Sequence, residues 1–334
     1  MKTDFSLFPL CFSVRNMQVF HFSSLTASTV RSYNGDMKTA LFLFNPHAGK
    51  GSIKNGLSKI TDILTRAGFL VTVYPTQAKN DAYDKILRIG ASYDRIVVAG
   101  GDGMFHEALN AVMKLPRKVD LGFIPSGTAN DFAISNKIPK AVDKAAELAA
   151  DEKRRTIDIG SFNGEYFSYV AAFGAITDVP YTTDQSAKNN FGYLAYLATA
   201  AKYMNLQTLF NSAREMEIKT DNKILAGEFL IGCISNSKTI GSLKQILPDD
   251  VALNDGLFEG LFIKKPTNLT EFSNALNVLL LGNLDAEGII TLKSSRFEFT
   301  MGKGANWTLD GEDGGTHSKA VIENHKQALT MLLP

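Results

Sequence analysis

The sequence predicts an α/β protein, in which a doubly wound parallel sheet is followed by a β-rich second region. Between residues 40 and 150, short apolar runs alternate with segments whose apolar residues recur at helical spacing. After about Asp151, Gly and Asn turns rather than helices join the predicted strands. A glycine-rich loop also follows several early strands. At 334 residues the chain is long enough for two domains.

The elements of the first region are read from their periodicity. Strands are short β-branched or aromatic runs, and helices carry apolar residues three and four positions apart. In chain order we predict strand 40–44, a helix around 57–64, strand 69–74, helix 81–89, strand 95–99, helix 105–113, strand 121–124 and helix 141–150. This alternation is typical of a parallel sheet, whose ligands bind at the carboxyl ends of the strands.

The second region is predicted to be mainly antiparallel. Its strands are placed at 156–159, 165–173, 215–219, 228–234, 257–263, 296–300 and 305–309. Two helical segments, 191–206 and 269–281, interrupt them, and their apolar spacing favours packing against the sheet over contact with a membrane. Trp307, the only tryptophan, is expected to pack beside the turn that begins at Asp310.

Residues 1–36 differ from the rest of the chain. They mix Phe and Ser with scattered charges, and no periodic apolar face runs through them. A signal peptide is disfavoured by Asp4, by Pro9 and by the lack of a small-residue cleavage site. Since the first strand follows Met37 directly, we expect a poorly ordered extension or a misplaced start codon.

Composition is typical of a folded cytoplasmic enzyme. Apolar residues make up 45% and charged residues 21%, and the net charge of +1 gives no reason to expect a nucleic-acid partner. The two cysteines, Cys11 and Cys233, form no disulfide framework or metal-ligand spacing, which fits a reducing compartment. No apolar stretch approaches the ~18 to 20 residues that span a bilayer.

The loop Gly100-Gly101-Asp102-Gly103 follows a buried strand. Consecutive glycines let backbone amides approach an anion closely, and Asp102 is placed to meet a metal that neutralises phosphate oxygens. Taken alone, this fragment is more often an ordinary turn.

A second loop, Pro125-Ser126-Gly127-Thr128, follows the next strand and leads to capping residues Asn130 and Asp131. A helix start of this kind favours an anion. With Asn45-Pro46-His47-Ala48-Gly49 after the first strand, three such loops share one sheet edge. A nucleotide-phosphate site is therefore the leading hypothesis.

These motifs resemble the diacylglycerol-kinase-type lipid kinase family, whose bacterial members are also similar to sphingosine and ceramide kinases. The Gly-Gly-Asp-Gly element is shared with NAD kinases. The resemblance becomes specific through 125–133, through Asn254-Asp255-Gly256-Leu257-Phe258 and through Asp310-Gly311-Glu312. It covers the chain from about Lys38 to its end.

The resemblance implies a fold like that of NAD and diacylglycerol kinases, with ATP as co-substrate and Mg²⁺ as cofactor. A nucleoside triphosphate other than ATP stays open. It implies a nucleotide-binding catalytic domain at 37–151, to which 320–334 return, and a β-rich lipid-acceptor domain at 152–319. The nucleotide-binding residues it implies are Asn45, Pro46, His47, Ala48, Gly49, Thr76, Gly101, Asp102, Gly103, Met104, Phe105, His106, Glu107, Gly127, Thr128, Asn130 and Asp131.

The resemblance also assigns the acidic residues. Asp310 is the implied acceptor of the substrate hydroxyl proton, and Glu312 supports it. Asp255, with the backbone oxygens of Ala252 and Leu257, corresponds to a structural magnesium site, and Asp102 is placed to meet magnesium through water.

The chain departs from the family pattern at two positions. Relatives usually carry Thr or Ser where Met104 stands, and commonly Asn where His106 stands. Loss of a hydroxyl beside a phosphate removes a hydrogen bond worth about 1.5 to 3 kcal/mol. Weaker activity, or greater dependence on backbone amides, is the expected consequence.

The implied acceptor is a lipid hydroxyl, of diacylglycerol or a related lipid, taken from the membrane surface by a cytoplasmic, peripherally bound enzyme of lipid metabolism and phospholipid biosynthesis. Edge-strand pairing of the β-rich domains is compatible with a homodimer. Two alternatives stay open: a kinase of a soluble acceptor such as NAD, and a non-catalytic lipid- or nucleotide-binding relative.

Overall fold

The first part of the sheet consists of four parallel strands. The computed structural model describes residues 37–174, 212–236, 252–268, 270, 271, 274 and 287–334. The four strands are β1 (Lys38–Phe44), β2 (Phe69–Pro75), β3 (Arg95–Gly100) and β4 (Asp120–Pro125). β1 pairs with β2 and β3, and β3 pairs with β4, all in parallel. The parallel pairing predicted for this region is confirmed.

Helices connect these strands. They are α1 (Ser52–Arg66), α2 (Asp81–Ile89), α3 (Asp102–Val112), α4 (Asp131–Ser135) and α5 (Val142–Ala150). Helix α1 packs against α5, and α2 packs against α3. A Cβ atom on Gly122 of β4 would lie 2.9 Å from Ala149 Cβ, so α5 rests directly on the sheet. That the helix pairs cover opposite faces stays a prediction.

The remaining described strands extend the same sheet. They are β5 (Arg155–Phe162), β6 (Glu165–Phe167), β7 (Val170–Gly174), β8 (Arg214–Thr220), β9 (Ile224–Ser235), β10 (Phe258–Lys264), β11 (Ile289–Ser294), β12 (Arg296–Leu309) and β13 (Glu312–Met331). The order is β11-β10-β9-β7-β12-β13-β4-β3-β1-β2. These strands pair antiparallel with one another, and β13 joins the parallel part where Met331 pairs with Leu121 of β4.

Most predicted elements are confirmed to within a few residues. The segment 165–173 is wrong as one strand, because Ser168 and Tyr169 form a bend that separates β6 from β7. The segments 296–300 and 305–309 belong to one strand, β12. Strands β11 and β13 were not predicted. The half-exposed, polar and Gly-containing sequence of β13 is typical of a surface turn, yet it forms a 20-residue strand.

Some predictions fall outside the described residues. These are the extension at 1–36, the helical segment at 191–206, and all of 269–281 except residues 270, 271 and 274. The domain division near Asp151 stays a prediction.

Aromatic side chains fill the core beneath β7 and β12. Trp307 lies 4.8 Å from both Phe162 and Phe173 and 5.0 Å from Phe299, measured between ring centroids. Only 2% of Trp307 is exposed. The expected packing role of Trp307 is thus confirmed.

A buried carboxylate holds the loop at 252–257. Asp158 of β5 is 0% exposed, and it accepts hydrogen bonds from the amides of Gly256 at 2.6 Å and Gln327 at 2.7 Å. Its own amide donates to Leu253 O at 2.8 Å. Asp158 therefore ties this loop to β5 and β13.

Replacing Asp158 with Ala should destabilise the fold by about 3 kcal/mol, because two amides would lose a charged acceptor. Asp62→Ala is the matched control, since Asp62 lies on an exposed face of α1 and pairs only with Arg66 at 3.0 Å. Urea unfolding monitored by circular dichroism measures both variants. Equal stability of the two would contradict the anchoring role of Asp158.

Candidate functional site

A cleft of about 1000 Å³ opens at the carboxyl ends of the parallel strands. Among the described residues, it is lined by five segments: Asn45 and His47 after β1; Thr76, Gln77, Ala78, Lys79 and Asn80 after β2, with Tyr83 and Asp84 of α2; Gly103, Met104, His106, Glu107, Asn110 and Lys114 in and after α3; Gly164 and Glu165 at the β5–β6 turn; and Glu312 and Asp313 of β13. Sequence-distant motifs are therefore brought to one site.

The two glycine loops meet back to back. A Cβ atom on Gly127 would lie 2.4 Å from Gly101 Cα, so Gly127 has no room for a side chain, and one on Gly101 would make a tight contact at 3.3 Å from Gly127 Cα. The amide of Ser126 donates to Gly100 O at 2.8 Å, which extends the β3–β4 register into the loops. The backbones after β3 and β4 are thus held in contact.

Asp102 is the first residue of α3, where the sequence placed it in the loop before the helix. Its Oδ2 accepts the amide of Asn130 at 2.7 Å. Asn130 has a left-handed φ of 54°, and its side chain brackets Gly127, with Oδ1 2.9 Å from the amide and Nδ2 2.6 Å from the carbonyl. Asp102 and Asn130 together fasten the second loop to the first.

Negative charge accumulates around Asp102. Burial, followed by the charges of Asp131 and Asp310, raises the pKa of Asp102 to about 7 against the opposing effect of the amides of Asn130 and Phe132. Asp102 Oδ1 is buried without a hydrogen-bond partner in the described part of the chain. Hard carboxylate oxygens with uncompensated charge are the ligands that Mg²⁺ prefers, so these residues fit that ion.

Asp310 lies in the tight turn between β12 and β13, with φ of 52°. Its Oδ2 accepts Ser168 N at 2.6 Å and Ser168 Oγ at 2.8 Å. Its Oδ1 accepts Tyr169 N at 2.9 Å and Val170 N at 3.0 Å. A carboxylate has about four acceptor sites, and all are used here. Asp310 is thus a clamp on residues 168–170, which differs from the implied role of proton acceptor.

Glu312, two residues further on, faces the cleft. A Cβ atom on Gly103 would lie 3.1 Å from Glu312 Oε1, so this carboxylate reaches the first turn of α3. Glu312 also lines the cleft, whereas Asp310 does not. Of the two acidic residues in the turn, Glu312 is the one that a bound substrate can approach.

His106 pairs across the cleft with the β5–β6 hairpin. Its Nε2 lies 3.0 Å from Glu165 Oε1, and the side chain is only 14% exposed. Burial lowers the pKa of His106, but the hydrogen bond to Glu165 and the charges of Asp310, Glu165 and Glu312 outweigh it, so the net direction is upward. The pairing also lowers the pKa of Glu165.

Asn110, a residue of α3, docks that helix onto the edge of β6. Its Nδ2 donates to Tyr166 O at 2.9 Å, and Tyr166 N donates to its Oδ1 at 2.9 Å. This two-way pairing reproduces the hydrogen bonds of a neighbouring strand. No sequence signal marked it, because the partner lies 56 residues away.

Two predicted nucleotide-binding residues at strand ends line the cleft and stabilise their own turns. Asn45 Oδ1 accepts His47 N at 2.9 Å, and Thr76 N donates to Phe44 O at 2.9 Å. Pro46, Ala48 and Gly49 form the turn before α1.

The predicted residues of α3 face different surroundings. The Phe105 ring stacks on Phe132 at 4.2 Å in the core, so its side chain is withdrawn from the cleft. Met104 lines the cleft and packs on Gly100, where a Cβ atom would lie 2.8 Å from its Sδ. Glu107 accepts Asn80 N at 2.8 Å and so holds the start of α2, and burial raises its pKa.

The loop at 252–257 carries the second implied metal position. Leu257 N donates to Asp255 Oδ1 at 2.9 Å, which folds the carboxylate over its own loop. In the described ranges no group of three or more His, Cys, Asp or Glu side chains is arranged as a metal site. A cation at Asp255 would therefore depend on carbonyl oxygens and water, a donor mixture that fits Mg²⁺.

Comparison with known proteins places the chain in a family. Residues 39–162 match the diacylglycerol kinase catalytic domain. A diacylglycerol kinase of Bacillus subtilis (strain 168) is 32% identical over 284 residues, which cover 84% of this chain and 91% of that protein. The chain belongs to the diacylglycerol kinase family.

Other members agree with this assignment. A diacylglycerol kinase of Staphylococcus carnosus (strain TM300) is 28% identical over 89% of this chain and 95% of its own length. The crystal structure of a diacylglycerol kinase from Bacillus anthracis str. Sterne shares the fold, with a TM-score of 0.75 at 24% identity over 90% of this chain and 98% of that one. The family membership makes this chain a kinase, a class of transferase.

Among the residues that the structure describes, no helix is long and apolar enough to cross a bilayer.

The His106–Glu165 pair should make the stability of this family member depend on pH. The raised pKa of His106 means that its contribution is complete below the ordinary value of 6.5 and is lost as the pH rises through the raised value. The lowered pKa of Glu165 means that its contribution is complete above 4.5 and is lost as the pH falls through the lowered value. Glu165→Gln should therefore lower the melting temperature more at about pH 5.5 than at about pH 8.5. Each of these pH values lies about one unit or more from the ordinary pKa values of the two groups.

Glu147→Gln provides the control. Glu147 pairs with Lys144 at 2.8 Å on an exposed helix face, and the pKa of Lys144 is raised above 10.5, so that partner stays charged at both pH values. The effect of Glu147→Gln on the melting temperature should therefore be the same at both pH values. A Glu165→Gln effect that is equally independent of pH would contradict the pairing.

Proposed function

We propose that this kinase transfers the γ-phosphoryl group of ATP to a lipid hydroxyl, with diacylglycerol or a related lipid as acceptor. One observation carries the proposal: the loop crossing at Gly101 and Gly127, the half-buried Asp102 and the cleft-facing Glu312 meet around the first turn of α3. Phosphoryl transfer needs an anion cradle, a cation site and a proton acceptor in this proximity.

The nucleotide phosphates would lie across the loops at 45–49, 101–107 and 127–131. Support comes from Asn45, His47, Thr76, Met104 and Glu107, which line the cleft. The glycine backbones can approach phosphate oxygens closely, and Thr128 stands in the exposed part of the third loop.

Magnesium would be held at Asp102, directly or through water, near Asp131. When bound, it supplies positive charge that neutralises the phosphate oxygens. Asp255, with the carbonyls of Ala252 and Leu257, would hold a second, structural ion. Both assignments are supported by the oxygen-rich donor sets described above.

Glu312 and Asp310 would divide the acid–base work. We assign proton acceptance from the substrate hydroxyl to Glu312, because it faces the cleft, and the positioning of residues 168–170 to Asp310, because its four acceptor sites are occupied. This exchanges the roles that the sequence resemblance implied.

The lipid acceptor is supported by the relatives, several of which carry the name diacylglycerol kinase. Because a lipid acceptor stays in its bilayer, the enzyme we propose is cytoplasmic and works peripherally at the membrane surface. A homodimer formed through strand edges is compatible with this proposed work at the membrane surface.

The proposed function predicts transfer of radiolabel from [γ-³²P]ATP to diacylglycerol in mixed micelles, in the presence of Mg²⁺ and not with excess chelator. Phosphatidylglycerol, sphingoid bases, undecaprenol and NAD are tested in parallel. Labelling of NAD alone would replace the lipid acceptor with a soluble one. Absence of labelling with every acceptor, despite Mg²⁺-dependent ATP binding, would favour a non-catalytic relative.

The division of roles predicts different defects for two substitutions. Glu312→Gln should keep the melting temperature and lower kcat by ~10² to 10⁴ at saturating ATP and lipid, the usual contribution of a positioned general base. Asp310→Asn, in contrast, should lower the melting temperature, because an amide NH₂ would face the donors of residues 168–170.

Asp313→Asn is the control for this comparison, since Asp313 also lines the cleft but has no assigned role. Its kcat should stay close to that of the unchanged protein. Near-normal turnover in Glu312→Gln, together with complete loss in a stably folded Asp310→Asn, would restore proton acceptance to Asp310.

A further inference from the structure

Tyr169 connects the turn at Asp310 with the nucleotide loop. Its hydroxyl donates to Asp131 Oδ2 at 3.3 Å, and only 4% of the residue is exposed. Asp131 is the first residue of α4 and follows the loop that crosses Gly101. The tyrosine side chain therefore bridges the β-rich part of the sheet and the loop after β4.

The backbone of Tyr169 is fixed on both sides. Asp310 accepts its amide at 2.9 Å, while Ser235 Oγ and Asn236 N donate to its carbonyl at 2.8 and 3.0 Å. Asp310 N in turn donates to Val170 O at 2.9 Å. A phenol on so constrained a backbone has little freedom to move away from Asp131.

The Tyr169 hydroxyl also lies where its hydrogen bond offsets the repulsion between neighbouring carboxylates. Asp102, Asp131 and Asp310 all act electrostatically on Tyr169, and burial with these charges raises its pKa well above 10.0, so the phenol keeps its proton and donates it. Without that donor, Asp131 would lose a hydrogen bond while remaining beside Asp102. The Asp131 side chain would then be held less firmly against repulsion from the other carboxylates, although Asn130 still ties its loop to Asp102.

We propose that Tyr169 is a positioning residue of the phosphoryl-transfer site: by holding Asp131, it keeps the nucleotide loop in fixed register with the Asp310–Glu312 turn. The inference rests on the proposed function, because it assigns Asp131 to Mg²⁺·ATP binding. It adds a residue that the motifs did not mark, since Tyr169 lies in a segment that reads as an ordinary strand.

The test is a double-mutant cycle on the dissociation constant for Mg²⁺·ATP, measured by calorimetry. Tyr169→Phe keeps the ring and removes the hydroxyl, and it should raise the Kd by about 10-fold or more, the effect of a hydrogen bond to a charged group. In an Asp131→Ala background, which removes the acceptor, the same substitution should change the Kd by less than about 3-fold, because residues that share one interaction are not additive.

Tyr93→Phe is the matched control, since the Tyr93 hydroxyl also bonds a side chain, Thr72 Oγ1 at 3.1 Å, away from the residues that line the cleft. It should leave both Kd and kcat unchanged. Melting temperatures of all variants separate loss of folded protein from loss of affinity, because fewer folded molecules change the binding stoichiometry and not the Kd.

An unchanged Kd in Tyr169→Phe, or the same increase with and without Asp131, would overturn the inference and leave the proposed function standing. Failure of the unchanged protein to bind Mg²⁺·ATP would instead remove the proposed function, and this inference with it. Kinetics with lipid should show the Tyr169→Phe defect mainly in KM for ATP, whereas Glu312→Gln acts on kcat.

Discussion

The contact between Gly101 and Gly127 is the constraint on which the site depends. Because β3 and β4 are hydrogen-bonded in register, the loops that follow them leave the sheet side by side, and only backbones without side chains can touch there. That contact sets the start of α3, and Asp102 stands at that start. The same helix then presents Met104, His106 and Glu107 to the cleft at positions fixed by its pitch.

Around this contact the protein buries Asp310 and half-buries Asp102 and Asp131, which is costly unless donors or cations compensate. The compensation comes from different parts of the chain: amides of α4 for Asp102, amides of residues 168–170 for Asp310, and a phenol for Asp131. The arrangement leaves one oxygen of Asp102 without a partner among the described residues. Negative charge is thus concentrated at one place, and hydrogen-bond donors from three parts of the chain offset it, as expected of a site that binds a cation with a polyphosphate.

Local patterns predicted the first half of the fold well, because each strand and helix there has its own periodicity and each glycine loop follows a strand. They failed at β13, where polar, half-exposed residues form a strand only because β12 and β5 lie on either side. The motifs named Asp310 and Glu312 but could not show which one faces the cleft, since that depends on amides about 140 residues away. Asn110, Asp158 and Tyr169 were missed for the same reason, as their partners are distant in sequence.

Strand β13 also bears on how the chain folds. It pairs with β12 and β5 and, at Met331, with Leu121 of β4, so a segment far from β4 in sequence joins the α/β part of the sheet to the rest. Pairings between such distant segments form slowly, because a long loop must close before any contact rewards it. On the ribosome, β4 would emerge before β13, so one edge of β4 would stay uncovered until β13 is made. Cellular quality control therefore meets this protein first with an open sheet edge, and with a closed one only after β13 has paired.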